Sequence, residues 1–433
     1  MTQMQSLPEG WKWSTLGEAT RPSQKRVNPQ DYPDLPYIGM ENVQSNTMQL
    51  LGTTQASQMK SSADSFTTGD VLYGRLRPYL NKVICPDFTG LCSTEFIVFK
   101  KVPHIYSKYL QYFLNSWDFV TYANNLNTGD RPRVKFEQFA GYPFPLPPMV
   151  EQERIVAKIE EIFTQLDAGT AALRRVQAGL RRYKASVLKA ACEGRLVPQD
   201  PSDEPADELL RRLGKSPLIG EGQPVLPEGW CWCHLPDIGG LGRGKSKNRP
   251  RNAPFLYGGP YPFIQTGDIR QADGVITSFS QTYSEAGLKQ SKLWEKGTLC
   301  ITIAANIAET AVLGFDACFP DSIVGFVSAN GIENRFIKHF IDVSKDNLER
   351  YAPATAQKNI NLDILQKLII PLPPSAEQQR IVTEVERQLS VVSEIKKAVM
   401  TGLARTSLLR KAILKMAFEG RLLGQAAEIE RAR

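Results

Sequence analysis

The sequence predicts an α+β protein in which two mixed α/β globular domains form a pseudo-two-fold repeat and are separated by two long helices that make an antiparallel coiled coil. The first observation is an internal repeat, in which about fifty residues recur at an interval of 226 positions. The second is an apolar period of 3.5 residues along each copy. The third is a set of short β-branched and aromatic runs before each copy. A long internal period decides the order of domains before any local assignment.

Both copies of the repeat begin and end with the same short motifs. The first runs from Pro145-Leu146-Pro147-Pro148 through Glu151-Gln152 to Glu193-Gly194-Arg195-Leu196. The second runs from Pro371-Leu372-Pro373-Pro374 through Glu377-Gln378 to Glu419-Gly420-Arg421-Leu422. A further pair, Leu7-Pro8-Glu9-Gly10-Trp11 and Leu226-Pro227-Glu228-Gly229-Trp230, opens the two halves.

We therefore expect six segments along the chain. They are a first globular domain at 1–144, a long helix at 145–197, a linker at 198–225, a second globular domain at 226–370, a second long helix at 371–422 and a tail at 423–433.

Apolar residues recur along each helix at alternating steps of four and three, which over five heptads is typical of a coiled coil. They are Ile155, Ile159, Ile162, Leu166, Leu173, Val176, Leu180, Tyr183 and Val187 in the first copy, and Ile381, Val385, Val392, Ile395, Val399, Leu409, Ile413 and Met416 in the second. About forty residues give a rod of roughly 60 Å. Ser375 and Gln378 predict a capping box at the start of the second helix.

The two helices are predicted to pair with each other in antiparallel orientation. The first helix must deliver the chain to the second domain, and the second must bring it back. The alternative is that each helix packs separately on its own domain.

The globular domains share an order of short runs bounded by Gly, Pro and Asn, which predicts strands. These runs lie at 37–43, 69–73 and 95–99 in the first domain and at 263–269, 297–301 and 322–326 in the second. Helical stretches follow at about 106–117 and 333–350, and a short helix is possible at 203–213. We expect one common fold with divergent surfaces.

The composition excludes some classes of protein. The apolar share of the 433 residues is 42%, yet no apolar run approaches the eighteen or so residues of a membrane helix. The first residues do not resemble a signal peptide, so we expect a cytoplasmic protein. The net charge of +7 is compatible with a polyanion partner. Seven dispersed cysteines and three dispersed histidines favour reduced thiols over a structural zinc site, and Cys231 and Cys233 are the only close pair.

Residues 239–246 match the phosphate-loop pattern G-x-x-x-x-G-K-[ST], ending in Gly244-Lys245-Ser246. Such a loop needs a helix after it, and Pro250 and Pro254 argue against that helix. We interpret the segment as a flexible basic surface loop suited to phosphate contacts. Its basic residues are Arg243, Lys245, Lys247, Arg249 and Arg251.

Other catalytic patterns fail on spacing or are missing. Pro86-Asp87 with Glu95 and Lys100 departs from the PD…(D/E)xK nuclease spacing. The sequence has neither an Asn-Pro-Pro-Tyr-like tetrad, which an adenine methyltransferase would use, nor a Ser/His/Asp or Cys/His set. It therefore gives no positive sign of catalysis or of a metal site.

Two further basic clusters in the first domain are candidate DNA contacts, because Arg, Lys and Asn can read base edges or hold phosphates. They are Arg75, Arg77 and Lys82, and Arg131, Arg133 and Lys135. The corresponding positions of the second domain hold Asn306, Lys358 and Asn359. The alternative is that these are solvated surface charges.

The doubled motifs, in this order and over nearly the whole chain, resemble the specificity subunit of type I restriction–modification systems. The resemblance implies that the globular domains are target recognition domains for an asymmetric bipartite site in double-stranded DNA. It implies that helices 151–192 and 377–418 bind two methyltransferase subunits, with restriction motor-nuclease subunits joining in some complexes. The chain would be non-catalytic and bind no cofactor, while its partners would methylate adenine at N6 with S-adenosylmethionine and use ATP and magnesium.

Three other hypotheses stay open. The chain could be a target recognition subunit of another phage-defence DNA modification system. It could be a nucleotide hydrolase that uses Gly244-Lys245-Ser246. It could also be a coiled-coil adaptor that does not touch DNA.

Overall fold

The computed structural model describes residues 6–23, 25–127, 129–218, 224–247, 250–304, 307–350 and 361–424, with 346–350 as backbone only. The chain divides into two compact units. The first unit is Met1–Arg175 with Val399–Arg433, and the second unit is Val176–Ala398. Each unit therefore combines one globular domain with parts of both long helices.

The globular domain of the first unit is built from short strands and short helices. Its strands are β1 Lys12–Thr15, β2 Pro22–Ser23, β3 Arg26–Val27, β4 Pro36–Ile38, β5 Thr54–Gln55, β6 Ala63–Phe66, β7 Val71–Gly74, β8 Val83–Ile84, β9 Gly90–Ser93, β10 Phe96–Phe99 and β11 Pro143–Leu146. Its helices are α1 Leu16–Ala19, α2 Ser107–Leu114, α3 Trp117–Asn124 and α4 Phe136–Phe139, followed by the long helix α5 Met149–Cys192.

The domain of the second unit has the same kinds of element. Its helices are α6 Ala206–Arg212, α7 Thr266–Gln271, α8 Glu285–Lys289, α9 Asn334–Arg350 and α10 Leu362–Gln366, followed by the long helix α11 Ser375–Phe418. Its strands are β12 Cys231–His234, β13 Gly239–Arg243, β14 Tyr257–Phe263, β15 Val275–Ile276, β16 Gln281–Tyr283, β17 Leu293–Trp294, β18 Leu299–Thr302, β19 Thr310–Leu313, β20 Ala317–Cys318, β21 Ile323–Ser328 and β22 Ile369–Leu372.

The two domains repeat one arrangement of strands. The order β2-β10-β7-β8 in the first unit matches β13-β21-β18-β19 in the second. The order β6-β9-β4-β5 matches β17-β20-β14-β16, and the parallel pair β4–β9 matches the parallel pair β14–β20. The ribbons β1–β11 and β12–β22 also correspond. The predicted common fold is confirmed, with β3 and β15 as additions.

Two of the predicted strands, 37–43 and 263–269, are wrong over most of their length. Strand β4 ends at Ile38, and strand β14 lies before the second predicted run and ends at its first residue, Phe263. In both domains the chain then turns into a short helical segment. In the first domain the Asn42 side chain accepts a hydrogen bond from the Gly39 amide at 2.7 Å. In the second domain Asp268 accepts one from the Gln265 amide at 2.8 Å. In each case the hydrogen bond from the backbone to the polar side chain stabilises a helical turn, so the chain leaves the sheet at this point.

The long helices α5 and α11 each contain 44 residues and are about 66 Å long. In the first unit the Arg410 guanidinium lies 4.4 Å from the Phe163 ring and pairs with Asp167. In the second unit the Tyr183 hydroxyl donates to Gln388 Oε1 at 2.9 Å. In the first unit a Cβ on Gly402 would lie 3.0 Å from Leu173. Within the first unit, the contacts move from Phe163 to Leu173 along α5 while they move from Arg410 back to Gly402 along α11. The helices therefore pair with each other in antiparallel orientation and do not pack separately.

The heptad prediction differs from the structure in the middle of the helices. Val176, Tyr183, Ile395 and Leu409 occupy predicted core positions, but 40–49% of their surface is exposed. Two helices alone present a single seam, so side chains beyond the cover of a globular domain remain partly in solvent. Several predicted positions nearer the domains, namely Ile159, Ile381 and Ile413, are buried.

Each domain core contains the start of one long helix and the end of the other. In the first unit Ile155 and Ile159 of α5 join Ile413 and Phe418 of α11 in one cluster. Phe418 makes edge-to-face contacts there with helix α2. In the second unit the roles of the helices are exchanged: the start of α11 packs with the end of α5. The members of that second contact are Ile381, Val382, Val385, Val187, Leu188 and Ala191.

The repeated Glu-Gln motif ties the start of each long helix to its domain. Gln152 is fully buried, donates to the carbonyls of His104 and Pro147, and accepts from the Tyr106 amide. Gln378 is also fully buried, donates to the Pro373 carbonyl and accepts from the Glu333 amide. The motif recurs because these backbone groups would otherwise be buried without partners.

The predicted capping box of Ser375 and Gln378 is wrong. The Gln378 side chain is occupied by the backbone of Pro373 and Glu333. The Ser375 hydroxyl donates to the Gly331 carbonyl at 2.9 Å. Tertiary contacts have taken both side chains that the local motif would use.

The glycines of the two Glu-Gly-Arg-Leu motifs end the long helices in the left-handed conformation. Gly194 has φ +67° and Gly420 has φ +72°. The Arg195 amide bonds to the Ala190 carbonyl, and the Arg421 amide bonds to the Met416 carbonyl, which is the Schellman pattern. A Cβ on Gly194 would lie 2.4 Å from Pro227, and one on Gly420 would lie 2.2 Å from Pro8. The two repeated motifs therefore recur together because each helix end packs against a Leu-Pro-Glu-Gly-Trp segment.

Replacing either capping glycine should destabilise its unit. For Gly194→Ala and Gly420→Ala we expect the free energy of unfolding to fall by about 1–2 kcal/mol and the melting temperature by about 2–8 °C, since a side chain is strained at this φ. Scanning calorimetry measures both. Gly179→Ala is the matched control: it lies in the interior of α5, a Cβ there would meet nothing within 4 Å, and the variant should be about 0.5–1 kcal/mol more stable. Equal effects of all three would contradict the capping role.

Replacing either buried glutamine with methionine keeps the side-chain volume and removes the hydrogen bonds. Gln152→Met and Gln378→Met should each lower the free energy of unfolding by about 1–3 kcal/mol, because buried backbone groups lose their partners. Chemical denaturation measures this. The control is Gln165→Met at an exposed position of α5, which should change stability by less than about 0.5 kcal/mol. A buried variant as mild as this control would refute the assignment.

Candidate nucleic-acid interface

Two basic clusters of the first unit, fifty-odd residues apart in sequence, lie side by side. Leu76 and Arg133 form an antiparallel bridge. The Val134 amide donates to the Arg75 carbonyl at 3.0 Å, and the Arg77 amide donates to the Pro132 carbonyl at 2.8 Å. We call this pair of segments, 75–77 and 131–135, the basic ribbon. The structure thus merges two predicted sites into one.

One segment of the basic ribbon is more exposed than the other. Arg131, Arg133 and Lys135 are exposed, whereas the intervening Pro132 and Val134 are buried. This alternation is what an extended segment with one buried side produces. It places three cations on a single solvent-facing side.

The other predicted basic residues of the first unit are held closer to the protein. Arg75 and Arg77 are half-buried. Burial raises the pKa of the nearby Asp64 carboxyl, and the charges of Arg26 and Arg75 oppose that rise. The Lys82 ammonium donates to the Met40 carbonyl at 2.5 Å. Lys82 therefore has a structural contact, and it is not part of the exposed set.

Arg133 is the most firmly oriented cation of the basic ribbon. Its Nε and Nη2 atoms donate to the two carboxylate oxygens of Glu95 at 3.1 and 2.8 Å. The Glu95 carbonyl in turn accepts from the Arg75 amide at 2.9 Å. Among the described residues, neither Arg131 nor Lys135 has an ion-pair partner.

In the second unit the segment that matches the phosphate-loop pattern begins as a strand. Residues Gly239–Arg243 form strand β13, paired along its length with β21. Beyond it, the Gly244 amide donates to the Ile323 carbonyl at 2.9 Å and the Lys245 amide to the Phe319 carbonyl at 3.1 Å. A Cβ on Gly244 would lie 2.3 Å from two carbonyl oxygens. The loop interpretation is therefore wrong for residues 239–243. The Gly244 and Lys245 amides are not free to cradle a phosphate, because the Ile323 and Phe319 carbonyls accept from them.

The basic residues of this segment also alternate with buried ones. Arg243, Lys245 and Lys247 are exposed, and Gly244 and Ser246 are buried. We call residues 243–247 the basic strand extension. It presents three cations on one side, as the basic ribbon does in the first unit.

Asp321 holds two of the predicted arginines. Its carbonyl accepts from Arg243 Nε and Nη2 at 3.0 and 2.8 Å, and its carboxylate pairs with Arg251 at 2.8 Å. The remaining predicted residues of the second unit, Arg249, Asn306, Lys358 and Asn359, lie outside the described residues.

Sequence reasoning missed a cleft in the first unit. It has a volume of about 570 Å³, and its lining includes the exposed Trp117 and Tyr79 and the buried Asn81 and Asn115. The Lys411 ammonium lies 3.4 Å from the centre of the Trp117 ring. These residues come from separate segments of the chain, so no local motif could have indicated them.

The structure also bears on the other predicted classes of site. All seven cysteines are unpaired, and burial raises the pKa of Cys192 and Cys231 to about 12. Among the residues that the structure describes, no group of three His, Cys, Asp or Glu side chains could hold a metal ion. Within the same residues no helix is both long and apolar enough to span a membrane.

Comparison with known proteins gives a consistent result. The family described as "Type I restriction modification DNA specificity domain" matches twice, at residues 8–177 and 227–399. The specificity subunit of the type I restriction enzyme EcoAI from Escherichia coli is 23% identical over 92% of this chain and 80% of the relative. That of EcoEI from Escherichia coli is 24% identical over 90% and 79%.

Solved structures have the same fold. A chain from a study of "complex assembly and conformational transition of the type I R-M system" is 22% identical, with a TM-score of 0.78 over 96% of this chain and all of that one. The HsdS subunit from Thermoanaerobacter tengcongensis is 23% identical, with a TM-score of 0.61 over 98% of this chain and all of that one. With two family matches that together cover both globular domains and much of the long helices, the chain belongs to the type I restriction–modification DNA specificity family.

Proposed function

We propose that this chain reads an asymmetric bipartite site in double-stranded DNA and directs adenine N6 methylation there by two methyltransferase subunits. Restriction motor-nuclease subunits would join the same complex and cut unmodified DNA in the cytoplasm. The chain is a specificity subunit and is itself non-catalytic. The cofactors S-adenosylmethionine, ATP and magnesium would belong to the partner subunits.

The observation that carries the proposal is one strand arrangement with two unlike basic surfaces. The strand orders of the two domains match, as does their parallel strand pair. The first domain presents the basic ribbon and the second presents the basic strand extension, which differ in sequence and in the strands that carry them. Two globular domains with the same strand arrangement but different surface side chains suit a DNA site whose two halves have different sequences.

The proposed DNA contacts rest on the exposure and spacing of the cations. Exposed Arg and Lys at every second residue of an extended segment can follow a phosphate backbone, and Arg can also read guanine in the major groove. Among the predicted residues that the structure describes, those that meet this condition are Arg131, Arg133, Lys135, Arg243, Lys245 and Lys247. Arg75, Arg77 and Arg251 remain candidates at the edge of the same surfaces.

The proposed partner surface is the middle of the long helices. Large apolar side chains are exposed there, and clusters of such side chains mark interaction surfaces. In the second unit they include Val176 and Tyr183 of α5 and Val391 and Ile395 of α11. In the first unit Met400, Leu408 and Leu409 of α11 are exposed. Methyltransferase subunits seated on helices 151–192 and 377–418 would cover them.

A map of modified bases in the host genome tests the function. We expect N6-methyladenine at one bipartite motif, lost when the gene is deleted. Replacing residues 226–370 with the corresponding domain of another specificity subunit should change one half of the motif and keep the other half and the spacing. An unchanged map after deletion would refute the proposal, and a change in both halves would refute the assignment of one half-site to each domain.

The salt dependence of DNA binding tests the basic ribbon. In the complex with methyltransferase, Arg131→Ala with Lys135→Ala should reduce the slope of log K against log salt by about two, because each cation on a phosphate releases about one counterion. The matched control is Lys12→Ala with Arg21→Ala, which removes the same charge from exposed positions outside the ribbon. If both double variants have the same slope, the ribbon does not contact phosphate.

A further inference from the structure

In each domain one arginine is held by a residue of the same connection between two strands, although the arginines come from different segments: Arg133 precedes α4, and Arg243 ends β13. In the first unit a short connection joins β9 to β10, and in the second unit a short connection joins β20 to β21. Because β9 corresponds to β20 and β10 to β21, these two connections correspond. Glu95 immediately precedes β10, and Asp321 stands two residues before β21. Glu95 holds Arg133, and Asp321 holds Arg243.

The same edge of the guanidinium is held in both domains. Nε and Nη2 of Arg133 donate to the Glu95 carboxylate, and Nε and Nη2 of Arg243 donate to the Asp321 carbonyl. Each arginine thereby uses two of the five N–H donors of its planar group. The other edge, formed by Nη1 and the second Nη2 proton, has no acceptor among the described residues.

The free edge is the one that reads a base or a phosphate. A guanidinium can make two parallel hydrogen bonds to guanine O6 and N7, or to two phosphate oxygens, through its terminal nitrogens. Fixing the Nε side sets the plane of the group before DNA arrives and reduces the ordering cost of binding. The anchor therefore leaves the reading edge available and orients it.

We propose that Arg133 and Arg243 are specificity-determining arginines, one for each half-site, with Glu95 and Asp321 as their positioning residues. This deepens the proposed function and rests on it. The anchors differ in one respect: Glu95 acts through its carboxylate, and Asp321 acts on Arg243 through its backbone carbonyl. The side chain of Asp321 holds Arg251 instead.

That difference gives the two anchors opposite sensitivities to substitution. Glu95→Gln replaces one carboxylate oxygen with an amide that cannot accept, so Arg133 loses half of its anchor and the charge that strengthens it. Asp321→Asn leaves the carbonyl in place, so Arg243 stays anchored. A role that depended only on local charge would make the two variants alike.

The test uses the full chain assembled with its methyltransferase subunits. Methyl transfer is measured on the cognate duplex and on duplexes with single base changes in each half-site. The discrimination ratio at each position is compared for Arg133→Ala, Glu95→Gln, the double variant, Arg243→Ala and Asp321→Asn. Melting temperatures show that each variant is folded, and Arg133→Lys adds a variant that keeps the charge and loses the planar fork.

We expect Arg133→Ala, Arg133→Lys and Glu95→Gln each to lower discrimination about tenfold at one position of one half-site. The double variant should lose no more than Arg133→Ala alone, because both changes remove one unit. Arg243→Ala should lower discrimination in the other half-site, and Asp321→Asn should leave that position within about twofold of the wild type.

Three results would overturn the inference while leaving the proposed function intact. They are full discrimination by Glu95→Gln beside a loss in Arg133→Ala, additive losses in the double variant, and loss by Asp321→Asn at the Arg243 position. Neutral Arg133→Ala and Arg243→Ala variants would show that other residues read the bases. A wild-type complex that methylates no bipartite motif would instead refute the proposed function itself.

Discussion

The contact on which the architecture depends is the packing of each long helix, at its end, against the opening segment of a globular domain. Gly420 meets Pro8, and Gly194 meets Pro227, with no room for a side chain at either glycine. The first helix thus ends on the domain that follows it in sequence, and the second ends on the domain at the start of the chain. Each unit therefore contains one copy of both motifs.

The same contacts explain why the two compact units are built alike. The start of one helix enters a domain core through Ile155 or Ile381, and the end of the other enters it beside them. Buried Gln152 and Gln378 then fix the helix start to the backbone that precedes helices α2 and α9. These contacts are buried and matched between the copies, so they hold the scaffold constant.

The surfaces are free to differ because they are not part of that scaffold. Both domains keep one order of strands, whereas the cations lie on exposed alternate positions of segments beside the sheets. Residues of that kind can change with little effect on packing, which is why binding sites are commonly placed on such segments.

The sequence by itself determined the repeat, the two long helices, the common fold and the family, because motifs and apolar periods are local and survive in the linear order of residues. It also identified the basic residues that are proposed to contact DNA. Only the tertiary structure decided which of them meet: that segments 75–77 and 131–135 form one ribbon, that Glu95 orients Arg133, and that residues 239–243 form a strand of a sheet. It also showed that Val176 and Tyr183 remain half in solvent. Pairing between distant segments depends on how strands cross from one sheet to another, and no local pattern in the sequence records it.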